Sequence, residues 1–307
     1  MSEYMPEGSL MGTVENNYYL RSYTTLQEAI ADGTVLEARA IVCDFGHNLV
    51  VDLGFTKGLI PRVEGALGIE DGTTRDIAII SKVNKPVCFI VTGLQPQEDG
   101  TLLPVLSRRG AQEKCRKEYL NTLRPGDIIP GRVTHLESFG CFVDIGCGLP
   151  SLIPIDQISV SRISHPRDRV RVGDNIYAVV KSIEQNRICL SHRELLGTWE
   201  QNAALFAPGE TVAGIIRSVE NYGVFVELTP NLAGLAEPYP NVAPGQQACV
   251  YIKSIIPEKM KIKLIIVDAF DAAYPATEVR YFITEGHIDH WRYSPENVAK
   301  VVETQFV

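Results

Sequence analysis

Several things are missing from this 307-residue chain. No uninterrupted apolar run reaches membrane-spanning length, which argues against a transmembrane protein. The start, MSEYMPEGSL, is acidic and lacks a basic segment followed by an apolar core, so no secretory signal is read there and the cytoplasm is the expected location. Positive charge is short: 29 Lys/Arg face 37 Asp/Glu, a formal charge of -8, whereas a general nucleic-acid coat protein would be basic. None of the seven cysteines forms a C-x-x-C pair, so reduced thiols packed as small apolar residues are expected, and no zinc site. P-loop, H-E-x-x-H, G-x-S-x-G and dinucleotide fingerprints are all absent, so no enzyme, cofactor or small-molecule substrate is expected. His287, Asp289 and His290 form a lone His/Asp cluster, but on a strand His290 would face away from the other two, so no metal is expected.

What is present is a repeat. PGDIIPGRVTHLESFGCFVDIG (125–146) matches PGETVAGIIRSVENYGVFVEL (208–228) at one offset of 83, pairing Phe139 with Tyr222, Gly140 with Gly223, Phe142 with Phe225 and Asp144 with Glu227. A weaker copy, AIVCDFGHNLVVDLGFTKGLIPR (40–62), aligns at an offset of 92 and has His47 and Val50 where the others carry rings. Each of the two clear copies continues with a G-D or G-Q, then IYAVVKSI or ACVYIKSI, a polar turn, and RICLS or KIKLI. These short alternating segments rich in Val, Ile and Tyr read as five strands per copy, which suggests a small closed barrel.

Spacing predicts helices over 111–123 and 194–206, each ending before a Pro-Gly pair. Thr25 and Glu28 are placed to form a capping box for a short helix ending near Gly33. The tail is expected to hold a hairpin of VRYFIT with HIDHWRY and a helix starting at Ser294-Pro295. The expected architecture is all-β: three tandem five-stranded barrels joined by short helices, with a small α+β C-terminal tail. The expected boundaries are a disordered 1–24, barrels at 25–110, 125–193 and 208–268, helical linkers at 111–124 and 194–207, and a tail of unassigned role at 269–307.

Residues three apart on a regular strand face opposite sides. A glycine kink or bulge between Phe139 and Phe142, and between Tyr222 and Phe225, would bring both rings of a pair to one side, outside a core formed by Val143 and Ile145. Such rings are either barrel core or a face on which bases stack at about 1–3 kcal/mol each. Their recurrence with the glycine in two copies favours the face. Basic residues expected beside it are Arg132, Lys181 and Arg187 in the second barrel and Lys253 and Lys261 in the third. The stretch SRISHPRDRVR adds Arg162, His165, Arg167, Arg169 and Arg171, either a phosphate clamp or a solvated loop. Residues 124–197 carry nine Lys/Arg and eight Asp/Glu, so the acidity lies elsewhere: residues 1–31 and 269–307 each sum to -3.

Together PGD-x-x-x-G-x-V, F/Y-G-x-F-V, a G-D before the fourth strand and R-I-x-L-S resemble the S-one repeat, the RNA-binding OB-fold repeat of the bacterial small-subunit ribosomal protein S-one family. The resemblance is strong over 125–193, good over 208–266 and weaker over 33–109. It implies stacking rings at Phe139, Phe142, Tyr222 and Phe225, a basic residue before the last strand at Arg187 and Lys261, and an acid in the preceding turn at Glu184 and Glu258. The histidine that the family often places in the third strand is replaced here by Pro154 and Glu237. The family's leading repeats serve ribosome docking, and the ringless first copy is similar to that pattern. The expected function is therefore single-stranded RNA (mRNA) binding in translation, with the small ribosomal subunit as a partner through the first barrel. A protein-interaction scaffold, or an RNA-binding subunit of a decay or transcription assembly, is the alternative.

Overall fold

The protein is described here from a computed structural model covering residues 4–185, 187–272 and 279–306. Three closed five-stranded barrels follow one another. The first comprises β1 (Leu36–Cys43), β2 (Leu49–Asp52), β3 (Lys57–Ile60), β4 (Pro86–Pro96) and β5 (Leu102–Ser107). The second comprises β6 (Ile128–Glu137), β7 (Gly140–Asp144), β8 (Pro150–Pro154), β9 (Asn175–Glu184) and β10 (Arg187–Ser191). The third comprises β11 (Thr211–Glu220), β12 (Gly223–Thr229), β13 (Leu232–Ala236), β14 (Gln247–Ile256) and β15 (Lys261–Phe270).

In every barrel the first three strands form an antiparallel meander. The fifth strand closes the sheet by pairing parallel to the third, as at Leu59–Val105, Leu152–Cys189 and Leu235–Lys263. Alternate residues fill each interior, as with Ala248, Val250 and Ile252 on β14 and Ile262, Leu264 and Ile266 on β15. Replacing such a buried side chain by alanine costs about 2–5 kcal/mol. All seven thiols are free, and Cys88, Cys115, Cys141 and Cys147 are buried. Among the described residues no helix is long and apolar enough to cross a membrane.

The chain divides into two compact units, Met1–Leu123 with Pro130–Arg132 and Asp144–Pro150, and Arg124–Ile129 with Val133–Val143 and Ser151–Val307. In the first unit, helices α1 (Val14–Tyr19) and α2 (Tyr23–Asp32) precede the first barrel, and Leu26 and Ala29 of α2 join its core. The capping box is formed by Ser22 and Thr25, three residues upstream of the expected pair. Gly33 ends the helix as predicted, at φ 62°, a left-handed conformation that glycine adopts without steric cost. A single turn, α3 (Ile77–Ile80), lies in the β3–β4 connection, and α4 (Arg108–Glu118) follows β5.

The expected disorder of the first residues is corrected from residue 4 onward; residues 1–3 lie outside the described chain. Tyr4 and Glu7 are buried. The Glu37 carboxylate accepts hydrogen bonds from the backbone N–H groups of Gly8, Leu10 and Met11. Burial pushes the Glu7 carboxyl up, but Arg108 Nε at 2.7 Å and Lys82 Nζ at 2.5 Å outweigh that and hold it at about 2. Acidity in this segment thus holds an ordered arm, where composition suggested solvation.

In the second unit, the linker between barrels is a 3-10 turn (Arg193–Leu196) followed by α5 (Trp199–Ala203), shorter than the predicted 194–206 because Gly197, at φ 84°, interrupts it. The tail corrects two further expectations. The paired strands are β16 (His290–Arg292) and β17 (Glu303–Gln305), without VRYFIT. No helix starts at Ser294-Pro295. The Ser294 hydroxyl instead donates to Lys300 O and accepts from Val302 N, closing a loop that returns the chain to β16. The rest of the tail expectation, residues 273–278, lies outside the described residues. Trp291, Tyr293 and Phe306 join Trp199 in the core cluster of the third barrel. On the other side, Phe282 N donates to Leu195 O. Buried His192 presents Nδ1 to Ile158 O at 3.0 Å and Nε2 to Tyr281 Oη at 2.9 Å. Tail, linker and barrel loop therefore converge on one imidazole.

Burial holds the His192 imidazole at about 4, below its ordinary value of 6.5. The unfolded chain therefore binds the extra proton first. Stability is fully present above pH 6.5 and falls by about 3 kcal/mol as the pH drops towards 4. Melting curves across that window should show this slope in the wild-type protein and a flatter one in His192→Gln.

Candidate nucleic-acid interface

Phe139 lies in the β6–β7 turn and Phe142 on β7; Tyr222 and Phe225 hold the same places before and on β12. In both barrels the ring centroids are 6.2 Å apart and the planes meet at 88°. The leading rings stand in solvent, Phe139 54% and Tyr222 66% exposed, and the second rings are half-buried. Cys141, Val143 and Ile145 in one barrel, and Val224 and Val226 in the other, point inward. The rings are thus a face and not a core.

They share a side because the first ring of each pair sits in the turn, outside the strand's alternation. A bulge does occur in the third barrel, but on the neighbouring strand, between Ile216 and Ser218. The glycine between the rings serves a different need. A Cβ on Gly140 would lie 2.4 Å from Ile153 O, and one on Gly223 2.4 Å from Ala236 O. The adjacent strand passes too close for any side chain.

The first barrel departs from its alignment. His47, at φ 62°, lies 3.2 Å from the Asp76 carboxylate, and Val50 is half-buried. Phe45, at the tip of the β1–β2 hairpin, is fully exposed, and no ring contact is recorded for it among the described residues. The insertion between Phe45 and β2 hid its likeness to Phe139.

The basic residues separate into two groups. Arg187, Lys253, Lys261, Arg162, Arg167 and Arg171 are exposed, and Lys181 is half-buried on β9. Lys253 Nζ lies 3.8 Å from Glu237, which stands where the family often has histidine. Two expected RNA contacts are turned elsewhere. Arg132 packs its guanidinium against Gly8, so closely that a Cβ there would lie 2.3 Å from Nη1. Arg169 is buried and donates to Glu227 Oε2 at 2.5 Å. Arg217 donates to the same carboxylate at 2.8 Å. A buried arginine paired in this way is a joint between the second-barrel loop and the third barrel. His165 is half-buried, and its Nδ1 accepts from Arg167 N at 3.2 Å, capping the short 3-10 turn Pro166–Asp168.

Sequence reasoning missed His135. Its ring lies 6.2 Å from Phe142, tilted 32°, and its Nε2 is 2.7 Å from Glu137 Oε1. It sits on β6, beside β7, where the third barrel has Ser218 opposite Phe225. Alternation from the buried Ile129, Gly131 and Val133 would send His135 inward, so the strand period hid it.

A family model described as S1 RNA binding domain matches residues 122–193. The matched segment takes in the whole of the second barrel, with the Phe139–Phe142 pair inside it. The chain is also similar, over a longer stretch, to proteins named small ribosomal subunit protein bS1. That of Staphylococcus haemolyticus is 31% identical over 261 residues, and that of Staphylococcus aureus is 28% identical over 264. Each alignment covers 80% of this chain and 64% of the relative, so the chain spans a little under two thirds of the length of the relatives it matches.

Because the β7–β8 and β12–β13 crossings leave no room for a Cβ, Gly140→Ala and Gly223→Ala should each destabilise the protein by about 1–3 kcal/mol, the usual cost of forcing extra volume into a packed site. Denaturant titration of the two variants checks this.

Proposed function

We propose that the chain binds single-stranded RNA on the ring pairs of its second and third barrels and acts in translation, in the cytoplasm, at the small ribosomal subunit. The observation that carries this reading is the repeated ring pair: two exposed edge-to-face pairs of equal geometry, one of them inside the S1 RNA binding domain. Flat rings in solvent offer stacking surfaces that tolerate any base. Exposed Arg187, Lys253 and Lys261, with half-buried Lys181, supply cations for the backbone on a chain whose net charge would otherwise repel RNA. The relatives' names point to the ribosome as the setting.

Phe139→Ala combined with Phe142→Ala should weaken binding of an unstructured RNA more than tenfold, from two stacking losses of about 1–3 kcal/mol each. Fluorescence anisotropy measures the affinity, and a melting curve separates lost stacking from lost folding. Unchanged affinity would sink the reading.

The first barrel takes the docking role in this proposal. It holds one unpaired exposed ring, Phe45, together with exposed Val42, on a segment (32–110) with eight Lys/Arg against ten Asp/Glu. A lone apolar tip on an acidic barrel suits a protein partner better than a polyanion. Phe45→Glu should reduce co-sedimentation with the small subunit while leaving RNA affinity in solution within about twofold. The reverse pattern would assign Phe45 to RNA.

A further inference from the structure

An open cavity of about 550 Å³ lies in the second unit, where the β8–β9 loop of the second barrel meets β11 and β12 of the third and residues 279–282 of the tail. Five arginines line it (Arg167, Arg169, Arg171, Arg217 and Arg280) against two carboxylates, Asp168 and Glu227, a surplus of three positive charges on a chain of formal charge -8. The two carboxylates are already engaged. Glu227 holds Arg169 and Arg217, and Asp168 Oδ2 lies 3.7 Å from Arg217 Nη1. Among the described residues no carboxylate pairs with Arg167, Arg171 or Arg280, all three of which are exposed; Arg280 lies over the Phe282 ring at 5.3 Å. Like charges gathered in a concave, partly apolar wall repel one another unless an anion sits among them.

We infer that this cavity is a phosphate subsite for the RNA chain as it passes between the stacking rings of the third barrel and the second-barrel loop; the inference rests on the RNA-binding reading above. Geometry joins the cavity to the rings. Phe225 and Glu227 alternate along β12 and so share its outer side, about 7 Å apart at the usual strand rise. A strand of RNA stacked on Tyr222 and Phe225 therefore reaches the arginine wall within one or two nucleotides. The Glu227 carboxylate has a positioning role, holding Arg169 and Arg217 in the wall while the three exposed guanidiniums meet the phosphates. Planar guanidinium groups suit phosphate oxygens, which they bind two at a time.

The test uses the full chain and an oligouridylate of about twelve nucleotides, a length within the usual span of such barrels. Affinity is measured by anisotropy at several salt concentrations. The combined variant Arg167→Gln, Arg171→Gln, Arg280→Gln should lose at least tenfold in affinity at low salt, with the slope of log K against log salt shallower by about 2, at about 0.7 per lost phosphate contact on a single strand. Its melting temperature should match the wild type, because the three side chains are exposed. The Phe139→Ala, Phe142→Ala variant should lose affinity with the slope unchanged. Retention of both affinity and slope by the arginine variant would overturn the phosphate subsite while leaving the stacking face intact. Failure of the wild-type protein to bind the oligonucleotide would overturn the RNA reading itself, and this is seen before any variant is made. A parallel arm adds tripolyphosphate to melting assays. Arginine-dependent stabilisation there, with RNA affinity indifferent to the arginines, would reassign the cavity to a free phosphate compound and overturn the RNA assignment.

Discussion

A carboxylate on the outer side of the second strand organises each of the two ring-bearing repeats. Asp144 and Glu227 occupy the same place, two residues after the second ring, and alternation sends both away from the barrel interior. Both are nevertheless buried. Asp144 accepts from Glu7 N at 2.7 Å and from Gly146 and Gly148 N, so it holds the N-terminal arm and its own loop; burial and the nearby Glu7 charge push it up to about 7. Glu227 accepts from Arg169 and Arg217. A buried carboxylate is tolerated only when donors replace water. The repeat thus carries a fixed point to which a neighbouring segment must bring donors, and each copy meets it with different chemistry: backbone amides in one case, guanidiniums in the other.

The formal charge of -8 is unevenly placed: residues 124–197 sum to +1, and residues 1–31 and 269–307 to -3 each. Several of the chain's acids hold segments together: Glu7 with Arg108 and Lys82, Glu37 with three backbone amides, Glu227 with two arginines. Net charge sums over the whole chain and takes no account of where each charge stands. The cations left over, Arg167, Arg171 and Arg280 among them, lie on the unit that bears both ring pairs. Formal charge alone was therefore a poor guide to partner, and local pairing decides what a polyanion would meet.

The tail contributes in a similar way. Its sequence has no repeat partner, yet Trp291, Tyr293 and Phe306 pack into the cluster around the third barrel while Tyr281 reaches His192 at the end of the second. One tail thereby touches both ring-bearing barrels within their shared unit. The arginine-lined cavity lies at the same seam, between the second-barrel loop and the third barrel.

The sequence by itself determined the barrels, their number and the ring pairs. Strand alternation, Pro-Gly punctuation and the repeat offset are local or periodic signals, readable without knowing what lies across the sheet. Tertiary structure alone decided which charged and aromatic residues face solvent. Arg167 and Arg169 are two residues apart in one basic run, yet one stands in solvent and the other is buried on Glu227, a residue 58 positions further along the chain. His135 joins Phe142 only because β6 lies beside β7, and Phe45 stands fully exposed in the longer β1–β2 turn. The first residues looked disordered, and the tail was given the wrong hairpin, because their polar and apolar groups have partners that are distant in sequence. Periodicity reports which side of its own element a residue occupies; whether that side meets water, a carboxylate or another ring depends on what the rest of the chain places there.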